Sequence, residues 1–361
     1  MKLLNRYVLG EWFSAFLCSH LVTTCLLLLE DVYKNFGYCL KAKASLIEIT
    51  KYYAILAASF YTLITPIALF LATLFALGNL HKRNEITAMK CAGINMMEIA
   101  KPIIASGIIL ALANLVFEAL LAPMAIDYVT SFRIQIDARA GYNMDKEEIG
   151  FLNHPGNRIW VFKKLNKLTG MGNGVMVICS DSNNREESRI FGTLANFSPA
   201  KKYWQFKNCT VTTLDPSTGM PVKNESFAEQ DFPFLTENPE TILASLKKTK
   251  NLSFRETMDL LKYSGEGPAG NGFRVKFHKT FANSVNCLTI LFLAIFSAAV
   301  GTRESQFANT GKAMGCLLLF FITETIFAIL GNHGILSPLF AAWGAGIFLL
   351  LPIGKLLPKA M

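Results

Sequence analysis

Charge is scarce in this sequence. Only 17% of its 361 residues are Asp, Glu, Lys or Arg, 52% are hydrophobic, and the mean hydropathy is +0.35, too apolar for water alone to be the solvent. The histidines His20, His81, His154, His278 and His333 show no metal-ligand spacing, and the eight cysteines contain no Cys-x-x-Cys pair. Neither a metal nor a cofactor is therefore expected. No Gly-x-x-x-x-Gly-Lys-Ser/Thr segment occurs, so ATP cannot be held by a P-loop of this chain. A convergent nucleophile, acid-base pair or metal set is also missing, which argues against an enzyme. No internal duplication is legible. The net charge of +9 could point to nucleic acid, but in so apolar a chain it marks cytoplasmic loops and contacts with anionic lipid.

What is abundant is long apolar runs. Six stretches are long enough to cross about 30 Å of hydrocarbon as helices: Trp12 to Leu29, Tyr52 to Leu80, Pro102 to Met124, Thr280 to Gly301, Ala313 to Gly331 and Ile335 to Gly354. Pro66 near the centre of the second predicts a tilt or kink. The first ends in Glu30-Asp31 without a small-residue cleavage site and is expected to stay in the membrane. Lys2, Arg6, Lys82, Arg83, Lys90, Lys101, Arg303, Lys312, Lys355 and Lys359 all flank spans on one side, which the positive-inside rule makes cytoplasmic, together with both termini. The loop Asp31 to Lys51 then lies outside, despite carrying Lys34, Lys41, Lys43 and Lys51.

The fold expected is an all-α membrane bundle of six transmembrane helices with an inserted periplasmic all-β domain. Residues 1–124 hold spans one to three, 125–279 the β domain and 280–361 spans four to six. In the polar middle, Arg158 to Phe162, Val175 to Cys179, Arg189 to Phe197, Lys202 to Phe206 and Thr210 to Leu214 are β-branched or aromatic runs separated by turn residues, a pattern of a sandwich or jellyroll. Ser253 to Glu256 reads as a capping box opening a helix that runs to about Tyr263. Gly265 to Gly272 reads as a flexible joint. Cys179 and Cys209 lie in this domain, either as a disulfide or as two buried thiols.

The loop between spans two and three is the most informative stretch. Asn84 is expected to cap a short helix whose first residue, Glu85, faces the positive end of the dipole, and Gly93 suits a left-handed C-cap. Glu85, Ala88 and Ala92 share a face at helical spacing, with side chains small enough for close approach of a partner. Such a helix is either a handle for a soluble partner or an interfacial turn.

Asn84-Glu85-Ile86-Thr87-Ala88 followed by Cys91-Ala92-Gly93-Ile94 resembles a signature of the lipopolysaccharide-export permeases (LptF/LptG, or YjgP/YjgQ). The similarity extends to Arg6-Tyr7, Gly78-Asn79-Leu80, Asn114, Pro123, Leu252 to Glu256, His278-Lys279 and Arg303. It departs at Asn283 and Ser297, where the family commonly has proline, and at Asn84, where it has serine. The resemblance implies a permease subunit, not an enzyme, of an ABC transporter in the bacterial inner membrane. It would pair with a second permease and a cytoplasmic ATPase dimer, extract lipopolysaccharide and hand it to periplasmic bridge proteins. On that resemblance the segment 84–93 is the coupling helix, with Glu85, Ala88, Ala92 and Gly93 at the ATPase. Lys34, Lys41 and Lys43 would attract lipid phosphates, or simply snorkel to anionic headgroups.

Glu324 sits mid-span, where an unpaired charge costs at least about 2.5 kcal/mol; it either lines a substrate cavity or bonds a neighbouring helix. Glu118 is expected to reach headgroups from the outer end of span three. The alternatives to a permease are an ion-coupled secondary transporter, for which Glu324 is the sole support, and an envelope scaffold.

Overall fold

The computed structural model describes residues 2–215, 217–247, 249–265, 267, 270–300 and 306–360. Arg303 and the end of the predicted fourth span at Gly301 lie outside them, as do parts of the expected joint after Gly265. The chain divides into two compact units: one formed by the described residues of 1–37, 45–129 and 274–361, the other by 38–44 and 130–273.

The first unit is helical. Its elements are α1 (Lys2–Lys41, continuing into the second unit), α2 (Leu46–Ser59), α3 (Tyr61–Lys82), α4 (Glu85–Cys91), α5 (Met96–Val116), a π-helical turn (Phe117–Leu121), the start of α6 (Ala122–Arg139), and α9 (Asn271–Val300), α10 (Gln306–Asn332) and α11 (Pro338–Ala360). Among the described residues, five helical segments are long and apolar enough to cross a membrane, and Pro338–Leu349 is a shorter apolar helix. The predicted second span is two helices. Ser45 opens α2 with a reciprocal capping box to Glu48, and the chain breaks at Phe60, six residues before Pro66. Val8, Trp12 and Phe16 of α1 pack with Ile64 to Leu80 of α3, Met96 to Ala111 of α5, and Cys287, Leu291 and Ile295 of α9. Trp12 donates its indole N–H to Thr73 at 3.0 Å, so even this buried aromatic is satisfied. Asp31, also buried, accepts from Tyr52 at 3.0 Å and Asn35 at 2.7 Å, which fastens α2 to α1.

The second unit carries one antiparallel sheet of β1 (Asp145–Asn153), β2 (Arg158–Asn166), β3 (Gly172–Ser180), β4 (Glu186–Ser198), β5 (Tyr203–Leu214) and β6 (Pro221–Phe232). Every strand pairs with its sequence neighbours, β1 to β6 in order. The strand order is a meander, in which short turns such as Asp181 to Asn184 close hairpins. Trp160, Phe162, Val175, Val177, Ile190, Trp204 and Phe206 are buried on one face, packed with Leu235, Ile242, Leu252 and Leu260 from α7 (Pro239–Ser245), α8 (Phe254–Tyr263) and their flanks. Gly192 is needed there because a Cβ would meet Phe206 Cδ1 at 2.5 Å. Ser253 and Glu256 form the predicted capping box of α8.

Cys179 pairs in register with Ser188 and Cys209 with Gly192, so the two lie two strands apart and four residues out of step. That separation exceeds disulfide reach, and both thiols are free. Burial pushes both thiols above their ordinary pKa.

Candidate functional site

The loop between α3 and α5 has the short helix that its sequence predicts, with a different entry. Asn84 adopts the left-handed conformation, φ 59°, and its side chain makes no capping bond, which corrects the expected cap. The turn is closed instead by the Asn84 N–H donating to His81 C=O at 2.9 Å; asparagine tolerates this conformation better than most residues. The exit follows the sequence. Gly93 has φ +81°, its N–H donates to Lys90 C=O, and the Ile94 N–H reaches Met89 C=O, both at 3.0 Å, a Schellman closure. Asn95 then caps α5 by accepting from the Met97 N–H.

This geometry divides α4 into two faces. Ile86 is buried in the helical core and Met89 packs against it, whereas Thr87, Ala88, Cys91 and Ala92 are exposed. The outward face is thus short side chains on a helix seated by apolar contacts. Glu85 stands at its edge. Tyr7 of α1 donates its hydroxyl to both Glu85 carboxylate oxygens, at 2.9 and 3.1 Å. Arg83 Nη1 lies 3.0 Å from Glu11 of α1 and 4.0 Å from Glu85. Sequence reasoning singled out Glu85 and Tyr7 separately; their contact joins residues 78 positions apart and has no local signature.

A second polar group lies among α9, α10 and the π-helical turn. Glu118 is buried within the helical unit, and Asn283 donates to it at 3.2 Å. Glu118 stands on the turn where α5 passes into α6, and Asn283 is one of the two positions where the sequence departs from the family's proline. Glu324 forms an ion pair with Lys279 at 2.9 Å, so of its two readings the bond to a neighbouring helix has a visible partner. Lys34 pairs with Glu30 one turn earlier on α1. Lys41 ends α1, and Lys43 sits in a left-handed turn with φ 51°; both are exposed. Lys51 lies over the Tyr128 ring at 5.0 Å.

In the β unit, sequence reasoning overlooked Glu237. It is fully buried, accepts from Asn153 Nδ2 at 2.6 Å, and lies 2.9 Å from Arg158 Nε, while its backbone C=O accepts from the Trp204 indole at 2.7 Å. Among the described residues no group of three or more His, Cys, Asp or Glu could hold a metal ion.

The family described as lipopolysaccharide export system permease LptF/LptG matches residues 6–359. Two curated relatives carry the name lipopolysaccharide export system permease protein LptG, from Escherichia coli (strain K12) and Escherichia coli O6:H1 (strain CFT073). Each is 25% identical over 171 residues, covering 45% of this chain and 47% of the relative. The matched segment spans about half the length of these curated relatives.

Proposed function

The chain belongs to the LptF/LptG family of lipopolysaccharide export permeases, and from that premise we propose that it is the membrane subunit of an ABC transporter that lifts lipopolysaccharide out of the inner membrane. In this reading α11 completes a bundle of six transmembrane helices, both termini and α4 face the cytoplasm, and the β unit stands in the periplasm. A cytoplasmic ATPase dimer supplies the energy, a second permease of the same family completes the membrane channel, and the β sheet passes lipid to periplasmic bridge proteins.

The observation that carries the proposal is the outward face of α4. Ala88 and Ala92 present almost no side chain, so a cleft on a partner can close on the helix backbone, and Glu85 offers a carboxylate at the rim. Gly93 ends the helix and lets α5 depart. At the other end of α1, Lys34, Lys41 and Lys43 supply cations for the phosphates of a lipid headgroup. Glu324 is assigned to fastening α9 to α10 through Lys279. That pairing accounts for the charge of Glu324 without a coupling ion.

The test is copurification. The tagged chain, taken from its native membrane, is expected to bring down an ATPase and a second permease. Ala88→Trp, which fills the outward face, is expected to lose the ATPase while keeping the permease. Retention of the ATPase by that variant would rule out α4 as the docking helix.

A further inference from the structure

Chain connectivity ties α4 directly to α3 and α5, through Arg83-Asn84 on one side and Gly93 to Asn95 on the other. Nothing covalent near it ties α4 to α1. Yet α1 holds both α4 and the turn that leads into it with polar side chains: Tyr7 donates to Glu85 of α4, and Glu11 pairs with Arg83, which caps the end of α3. Tyr7 and Glu11 are four residues apart, one helical turn, and the buried Val8 and Trp12 lie beside them in the core cluster that also contains Ile86. Apolar burial in one cluster thus accompanies the two polar contacts. Two polar contacts one turn apart on α1 resist rotation as well as sliding, which a single hydrogen bond would not.

We propose that Tyr7 is a positioning residue that makes α1 and α4 move as one body, so that force applied to α4 is delivered to α1. The inference rests on the reading of α4 as the docking helix and extends it by naming where the force goes. The phenol suits this task because its hydroxyl bridges both carboxylate oxygens, fixing the orientation of Glu85 as well as its distance. The Glu11–Arg83 pair is half-exposed and contributes little to stability by itself, but it closes the second side of the grip. Glu11 and Lys34 lie on the same continuous helix, 23 residues or roughly 35 Å apart, so a rigid α1 carries displacement from the α4 end to the lysines at the other.

The experiment uses the complex copurified from native membranes and reconstituted in vesicles containing lipopolysaccharide, reading both ATP hydrolysed and lipid released. Tyr7→Phe keeps the ring and removes only the hydroxyl; it is expected to lower lipid released per ATP by about three-fold or more. Glu11→Arg and Arg83→Glu are each expected to lower the same ratio, and the double exchange to restore it, because the ion pair is remade with its signs reversed. If Tyr7→Phe and the single exchanges reduce only the yield of assembled complex and leave lipid per ATP unchanged, Tyr7 is merely structural and the inference is overturned. If the unaltered complex contains no ATPase, the reading of α4 falls first and the inference with it, an outcome separable from the other because it appears before any substitution.

Discussion

Tyr7, Glu118 and Glu237 show what a single position can and cannot disclose. Tyr7 stands out in the sequence only through the family resemblance at Arg6-Tyr7; its hydrogen bond to Glu85 is a property of the fold. Glu118 reads as a carboxylate near a span end, but it is buried against Asn283 because a π-helical turn re-aims it. Glu237 lies in a polar stretch before α7 and gives no sign of being the most buried acid of the β unit. Its ion pair with Arg158 and hydrogen bond from Asn153 make it the strongest residue-level target. Glu237→Ala leaves the Arg158 guanidinium, itself mostly enclosed, without its counter-ion and with only the Phe234 C=O as acceptor, and is expected to destabilise the β unit by about 3 kcal/mol. Pairing Glu237→Leu with Arg158→Met should cost much less, since both charges leave together. Limited proteolysis of the two variants in membranes checks this: early cleavage within 145–232 is expected for Glu237→Ala only.

At the scale of elements, sequence signals were strongest where periodicity or a cap reports local geometry. The apolar runs, α8 with its Ser253–Glu256 box, and the central strands β2 to β4 follow directly from such patterns, whereas the runs Lys202–Phe206 and Thr210–Leu214, read as two strands, are joined through Lys207 to Cys209 into the single strand β5. The edges β1 and β6 do not, because Asp145-Lys146-Glu147-Glu148 and Lys223-Asn224-Glu225 carry the charges that protect sheet edges from pairing and so hide the strand pattern. The short helix α4 was legible, but its entry was not: Asn84 caps well and also tolerates the left-handed region, and composition cannot choose between them. Gly93 offers the cleanest test of the element. A Cβ there would meet nothing within 4 Å, so Gly93→Val acts through the φ of +81° alone, costing about 1–2 kcal/mol. The expected outcome is roughly five- to thirty-fold weaker capture of the ATPase, measured by copurification at graded expression, with the β unit unaffected.

For the whole molecule, the sequence conveyed two solvents: apolar runs on either side of a polar middle. The division into a helical unit and a β unit follows that change of composition, although the segment 38–44 joins the β unit from far upstream. Strand order was not legible, because hydrophobic alternation marks faces and says nothing about neighbours. Orientation across the membrane comes from the lysines and arginines near span ends and is tested directly. A membrane-impermeant amine label added to intact spheroplasts is expected to modify Lys201, Lys202 and Lys207, exposed on the β unit, and to spare Lys82 and Lys90 until the membrane is broken. Labelling of the second pair in intact cells would invert the proposed arrangement.

The order of the strands also bears on biosynthesis. With β2 to β6 each bonded to the strand just before it, the ribosome can deliver the sheet one hairpin at a time, and no strand waits for a distant partner. The sheet with α7 and α8, through Tyr263, precedes α9 to α11 in the chain, so it is able to take shape while the last membrane helices are still being translated.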